Sequence, residues 1–343
     1  MTPRQRQLAT IRHELPDRIS TDAICIENVD RIAEYLEIEP AKVHDALGID
    51  GRIVSAPYLG QVKEGFTEWG TANTGDYGTG HGYPLSGRET TAAIERYPWP
   101  STEHYDYAAA AKSAGDLGKT YAVRGPYWKP LFCQVCDLFG MENAMVMMHE
   151  RPRLFEAALE QVCNHVDDFC RRLLDACGDA MPILCLGDDF ATQRGLMISP
   201  DQWRKFLKQR YARLFDVGKG RGKAVWFHSC GDITAVLPDL VDIGIDVWET
   251  VQLHALPVPA RKLKRDFGRH ITFFGGINTQ RLPFATPDDI RDEVARTIEV
   301  LGAGGGYICG PDHHIKPDVP PENAVALFKA AMEFRRVGYT VGG

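Results

Sequence analysis

Hydrophobic positions fall into two alternating rhythms. Compact, β-favouring apolar runs occur at 181–186, 223–228, 245–249, 271–275 and 305–309. Between them, apolar residues return at helical spacing over 200–219, 233–242, 258–267, 287–301 and 321–335. Ser199 stands as an N-cap before Pro200. Upstream, strands are predicted at 19–26, 51–55 and 119–124. Helices are predicted at 3–12, 40–47, 89–96, 104–116, 131–148 and 152–177, and one capped by Asn28 carries Val29, Ile32, Ala33 and Leu36 on one side. Regular strand–helix alternation implies parallel strands joined by right-handed crossovers. Eight of them predict a (β/α)8 barrel spanning 1–343 with an N-terminal helical extension. A doubly wound sheet is the runner-up, but no Gly-rich nucleotide loop follows the first strand.

Residues 58–88 break the pattern. They are rich in Gly, Thr and Tyr and lack helical periodicity, which predicts an irregular excursion above the barrel mouth. Within it, Glu68 beside Trp69 is either a substrate contact or part of a turn with a packed Trp.

Composition narrows the function. A formal net charge of -7 leaves no basic footprint for nucleic acid. No apolar run approaches the roughly 20 residues that span a membrane, and Met1–Arg12 lacks the apolar centre of a signal peptide. Nine scattered cysteines fit free thiols in a reducing cytoplasm better than a disulfide framework. Cytoplasmic localisation is therefore expected.

Candidate chemistry gathers at the predicted strand ends, where such a barrel carries its active site. Arg124, Asp188, Asp189, His228, Cys230, Glu249, Gln252, Asn278, Cys309, Asp312 and His313 all fall there. His228 and Cys230 close one strand, Glu249 the next and Cys309 the last. One imidazole, two thiols and one carboxylate suit zinc better than magnesium or calcium. The bland reading is a satisfied buried histidine with two small apolar cysteines. Asp188 and Asp189 read either as an acid–base pair or as a cap for the turn before Gly195. His313 reads as a hydrogen-bond donor to substrate. Cys163, Cys170 and Cys177 recur on one helical face as a core stripe, and Cys133-x-x-Cys136 has no second pair to complete a metal site.

Six segments carry a family resemblance. They are Arg12-His-Glu-Leu-Pro-Asp-Arg18, Gly140-Met-Glu-Asn143, Gly187-Asp-Asp-Phe-Ala-Thr-Gln193 with Ile198-Ser-Pro200, Phe274-Gly-Gly-Ile-Asn-Thr-Gln280 and Pro317-Asp-Val-Pro-Pro-Glu-Asn323. Together they resemble the uroporphyrinogen decarboxylase-like superfamily, which implies the same barrel. His228, Cys230 and Cys309 resemble the ligands of its zinc-dependent corrinoid methyltransferases. Glu249 falls where the related cobalamin-independent methionine synthases add a glutamate. The arginine-rich segment of the decarboxylases has no counterpart in Ile19–Ile26, whereas their late histidine has one in His313. The resemblance implies a zinc-dependent methyltransferase that moves a methyl group between a corrinoid and a thiol or pterin acceptor. Its corrinoid would arrive on a separate carrier protein docking over the barrel mouth. Asp188, Asp189 and His313 would orient substrate, and the assembly is open to a homodimer. A metal-independent decarboxylase or lyase is the alternative; a non-catalytic corrinoid-protein partner with a structural zinc is the third.

Overall fold

A computed structural model describes residues 1–73 and 82–334. Its central sheet has eight parallel strands: β1 (Ser20–Thr21), β2 (Gly51–Ile53), β3 (Ala122–Pro126), β4 (Ile183–Gly187), β5 (Ala224–His228), β6 (Val247–Val251), β7 (Thr272–Ile277) and β8 (Tyr307–Pro311). Ladders join β2 through β8 in sequence order, and β8 pairs with β1 through Thr21 opposite Cys309. The remaining gap is bridged where the Asp50 N–H donates to the Thr21 carbonyl at 2.9 Å. Eight parallel strands rolled this way, with helices outside, form the expected (β/α)8 barrel.

Strand parity divides the core into two layers. Ile183, Cys185, Trp226, Val247, Phe274 and Ile308 meet inside the barrel. Leu184, Val225, Phe227, Trp248, Phe273 and Cys309 pack outward beneath the helices. Both faces are buried, so the strands read as continuous apolar runs rather than alternating ones. The helix Pro3–Ile11, opened by a Thr2–Gln5 capping box, contributes Ile11 to the inner cluster. No helix among the described residues is long and apolar enough to cross a membrane.

Several expectations change in detail: the strand expected at 19–26 is confined to Ser20–Thr21, and the helix expected at 233–242 to Leu237–Asp242. The helix expected at 131–148 is broken into Phe132–Phe139 and Met141–Glu150, because Gly140 adopts φ 88 and ends the first piece. The helix opened by Ser199 passes through a π-helical stretch at Arg204–Lys208. The excursion is irregular where it is described, with isolated bridges Tyr58–Tyr105 and Phe66–Ala72; residues 74–81 of it lie outside the described residues. Trp69 is buried against His165, with ring centroids 4.5 Å apart. Glu68 accepts from the Tyr105 hydroxyl at 2.8 Å and faces Lys129 at 3.6 Å.

Candidate metal centre

β5 aims its last residue into the barrel. Trp226 belongs to the inner cluster, and His228 shares its parity. The chain then turns at Gly231, whose φ of 79 and contact with the Thr192 backbone leave no room for a side chain. That turn returns Cys230 to the histidine: its Sγ lies 3.5 Å from His228 Nε2. His313 comes from the loop after β8. One ligand atom each from His228, Cys230 and His313 lies within 4.8 Å of the others.

This donor set fits zinc. Bond lengths near 2.3 Å to sulfur and 2.0–2.1 Å to nitrogen put two tetrahedral donors about 3.6 Å apart. The Cys230–His228 separation matches that edge. Three protein donors would leave the fourth position open, as catalytic zinc requires.

Glu249 holds the histidine from below. Its fully buried carboxylate accepts from Trp226 Nε1 and, at 2.7 Å, from His228 Nδ1. With Nδ1 donating to Glu249, Nε2 is the nitrogen that faces the cluster, where a metal ion would take the place of its proton. Burial opposes charge on Glu249, but His228 and Arg124 hold its carboxyl below the usual range. Burial also opposes charge on His228, yet Cys230 and Glu249 raise it well above the ordinary imidazole value. His313 goes the other way: burial, with His228 and His314 nearby, lowers it to about 4 and leaves a neutral imidazole.

Cys309 is not brought to this cluster. β8 continues past it to Pro311, and Cys309 sits in mid-strand with outward parity, while its neighbour Ile308 faces inside. A shift of one residue along a strand exchanges its faces. Burial pushes the Cys309 thiol up to about 12. Asp188 is also engaged elsewhere. Its carboxylate accepts from the N–H groups of Leu131, Phe132 and Cys133 at 2.6–3.0 Å and from the Tyr211 hydroxyl. It therefore caps the helix at Phe132, not the turn before Gly195. Asp189 does face the cluster: its Oδ1 accepts from the Cys230 N–H at 2.8 Å and lies 3.7 Å from His228 Nε2. Cys133 and Cys136 are buried in that capped helix, and Cys163, Cys170 and Cys177 form the expected core stripe.

Beneath Glu249 runs a second polar layer. Arg124 is fully buried, paired with Asp22 through contacts of 2.6 and 3.2 Å, and its guanidinium lies 4.6 Å from the Trp226 ring centre. Gln7 of the N-terminal helix donates to Asp22 at 2.5 Å. Polar contacts thus extend from the barrel floor to the cluster.

Tyr127 and Trp128 were not singled out by sequence. The Tyr127 hydroxyl is 3.3 Å from His228 Nδ1, and the Trp128 ring meets the imidazole edge-on at 5.4 Å. Their position directly after β3 is the signal that could have found them. A cavity of about 370 Å³ opens on Cys230 and His313 and is bordered by Gln252, Thr279, Phe284 and Lys316.

Known proteins resemble this chain at two levels. The methylcobamide:CoM methyltransferase MtaA of Methanosarcina barkeri is 24% identical over 198 residues, which are 58% of this chain and 54% of that protein. The uroporphyrinogen decarboxylase of Methylococcus capsulatus is 25% identical over 193 residues, 55% of this chain and 51% of that protein. The chain thus spans about half the length of the curated relatives it matches. A solved methyltransferase from Methanosarcina mazei superposes with a TM-score of 0.70 at 19% identity, covering 96% of this chain and 98% of that one; this likeness concerns the fold. The profile of the uroporphyrinogen decarboxylase (URO-D) family matches residues 131–334. Together with the barrel, that match makes the chain a member of the uroporphyrinogen decarboxylase (URO-D) family.

Proposed function

We propose that this protein is a zinc-dependent methyltransferase that moves a methyl group between a corrinoid and a small thiol. The observation that carries the reading is the convergence of His228, Cys230 and His313 at the C-terminal face of the barrel. The similarity to a methylcobamide:CoM methyltransferase supports it. The ligand set differs from the sequence expectation: His313 takes the place given to Cys309, and Glu249 steps back to support His228.

Zinc bound there would lower the pKa of a thiol taken into its open position. The protein's own residues prepare that position. Glu249 holds the Nδ1 proton of His228, so the ring offers Nε2. Asp189 fixes the Cys230 backbone, and so the direction of its sulfur. His313, being neutral, offers a lone pair without first losing a proton. Tyr127 and Trp128 wall the imidazole and exclude water from that side. The corrinoid would be presented by a carrier protein at the barrel mouth, and the acceptor would enter through the cavity beside Cys230.

The decarboxylases among the relatives support a second reading, a metal-independent decarboxylase. One experiment separates the two. Zinc-loaded protein is mixed with methylcobalamin and small thiols, and loss of the methyl–cobalt absorbance is followed. Acceleration that disappears with the metal and in Cys230→Ser supports the methyltransferase. Wild-type protein that carries stoichiometric zinc yet gives no acceleration with any thiol would overturn it.

A further inference from the structure

Gln252 is the best-prepared unassigned group beside the cluster. It follows β6 directly, is only 5% exposed and borders the cavity that opens on Cys230 and His313. Its amide orientation is fixed. The Gly231 N–H donates to Oε1 at 2.9 Å, and only the oxygen of the amide can accept that bond. Nε2 must then occupy the other branch, and among the described residues it has no acceptor. Two N–H donors therefore stand beside the site without a partner among the described residues. Such donors in a nearly buried side chain are costly to leave unused, so water or a ligand oxygen takes them.

The anchor adds direction. Gly231 adjoins Cys230 and makes the turn that places its sulfur. The same side chain thus braces the Cys230 turn and offers donors on the cavity side. A substrate whose sulfur occupies the open metal position would extend into this cavity, past the amide.

We infer that Gln252 selects the substrate, donating from Nε2 to an oxygen acceptor carried a few bonds from the reacting thiol. The inference rests on the thiol methyltransferase reading and narrows it to short thiols bearing a carboxylate or another strongly accepting oxygen. Lys316 also borders the cavity, but it is tied to Glu27 at 2.8 Å, as is His314 at 3.0 Å, so neither offers an unengaged charge. Gln193, Thr279, Gln280 and the acid Asp318 also line the cavity, but Gln252 is the one anchored to the turn that carries Cys230, so its donors are the contact tested.

The test is a matched pair of probes, 3-mercaptopropionate and 1-propanethiol, titrated calorimetrically into zinc-loaded protein. They share the thiol and the chain length and differ in the terminal oxygens. A hydrogen bond to a charged acceptor corresponds to a preference of about ten- to a hundredfold for the acid. Gln252→Glu is the discriminating variant. It keeps an oxygen for the Gly231 N–H and nearly the same shape, but replaces both donors with an acceptor. Its preference for the acid should fall to onefold or reverse; the reading is the ratio of the two affinities, in which any effect of the new charge common to both thiols cancels. A wild-type ratio near one, or a ratio unchanged in Gln252→Glu, would overturn the role of Gln252 and leave the thiol reading intact. Failure of both probes to bind zinc-loaded wild type would overturn the thiol reading itself, and the selection with it.

Discussion

Replacing Glu249 by Gln tests how the histidine is held. The carboxylate lies fully buried between two donors, Trp226 Nε1 and His228 Nδ1. An amide has the same shape but one oxygen and one NH2 group. If its oxygen stays with Trp226, which can only donate, the NH2 faces Nδ1. His228 Nδ1 must then accept, and the ring proton moves to Nε2, the atom 3.5 Å from Cys230. Binding metal at Nε2 would put that proton back on Nδ1, donor against donor with the amide. Loss of such an outer partner costs about ten- to a hundredfold in metal affinity, or about 1.4–2.7 kcal/mol. Competition with a chromophoric chelator at neutral pH reads this directly, and thermal melting confirms that the barrel survives. An affinity within about twofold of wild type would refute the tautomer reasoning. Complete loss of metal in a folded variant, matching Cys230→Ser, would make Glu249 a direct ligand, as the sequence alone suggested.

Other expectations are cheaper to check. Cys309→Ala should keep its zinc and lose only about 1 kcal/mol of stability for a small buried deletion, measured by metal analysis and urea melts. Asp188→Asn should lose about 2 kcal/mol, because an amide cannot accept from all the donors now meeting the carboxylate, while its zinc content stays unchanged. His165 contributes acid sensitivity. Burial, with Lys129 nearby, lowers it from 6.5 to about 4, so between those values the unfolded chain binds the proton more readily. Stability therefore rises with pH across that window and is lost as pH falls through it, by about 2 kcal/mol at pH 5. Urea melts at pH 7 and pH 5 should show that loss shrinking in His165→Gln.

Much of this architecture was legible in the sequence, for identifiable reasons. The runs at 181–186, 223–228 and 271–275 announce strands because both their faces are buried, one by the barrel and one by the helices. The same double burial hid the parity. In Tyr307-Ile-Cys-Gly-Pro311 nothing in the hydrophobic pattern says that Ile308 faces in and Cys309 out, and the preceding glycines blur the strand's start. His228 and Cys230 were found because one residue between them spans a strand end and its turn. Depth along the barrel axis was not written in the pattern. Glu249 ends up beside and below the imidazole, and His313 reaches the cluster only because the chain after β8 climbs past the strand end. The helix at 131–148 failed at Gly140, where a single positive φ outweighs helical periodicity on both sides.

The central claim is the ligand set, and X-ray absorption at the zinc edge of thiol-free, zinc-loaded protein addresses it most directly. The account predicts one sulfur near 2.3 Å, from Cys230, and two imidazole nitrogens near 2.0–2.1 Å, from His228 and His313, with one nitrogen shell lost in His313→Ala. Two sulfurs in the first shell, or a spectrum that His313→Ala leaves unchanged, would contradict it.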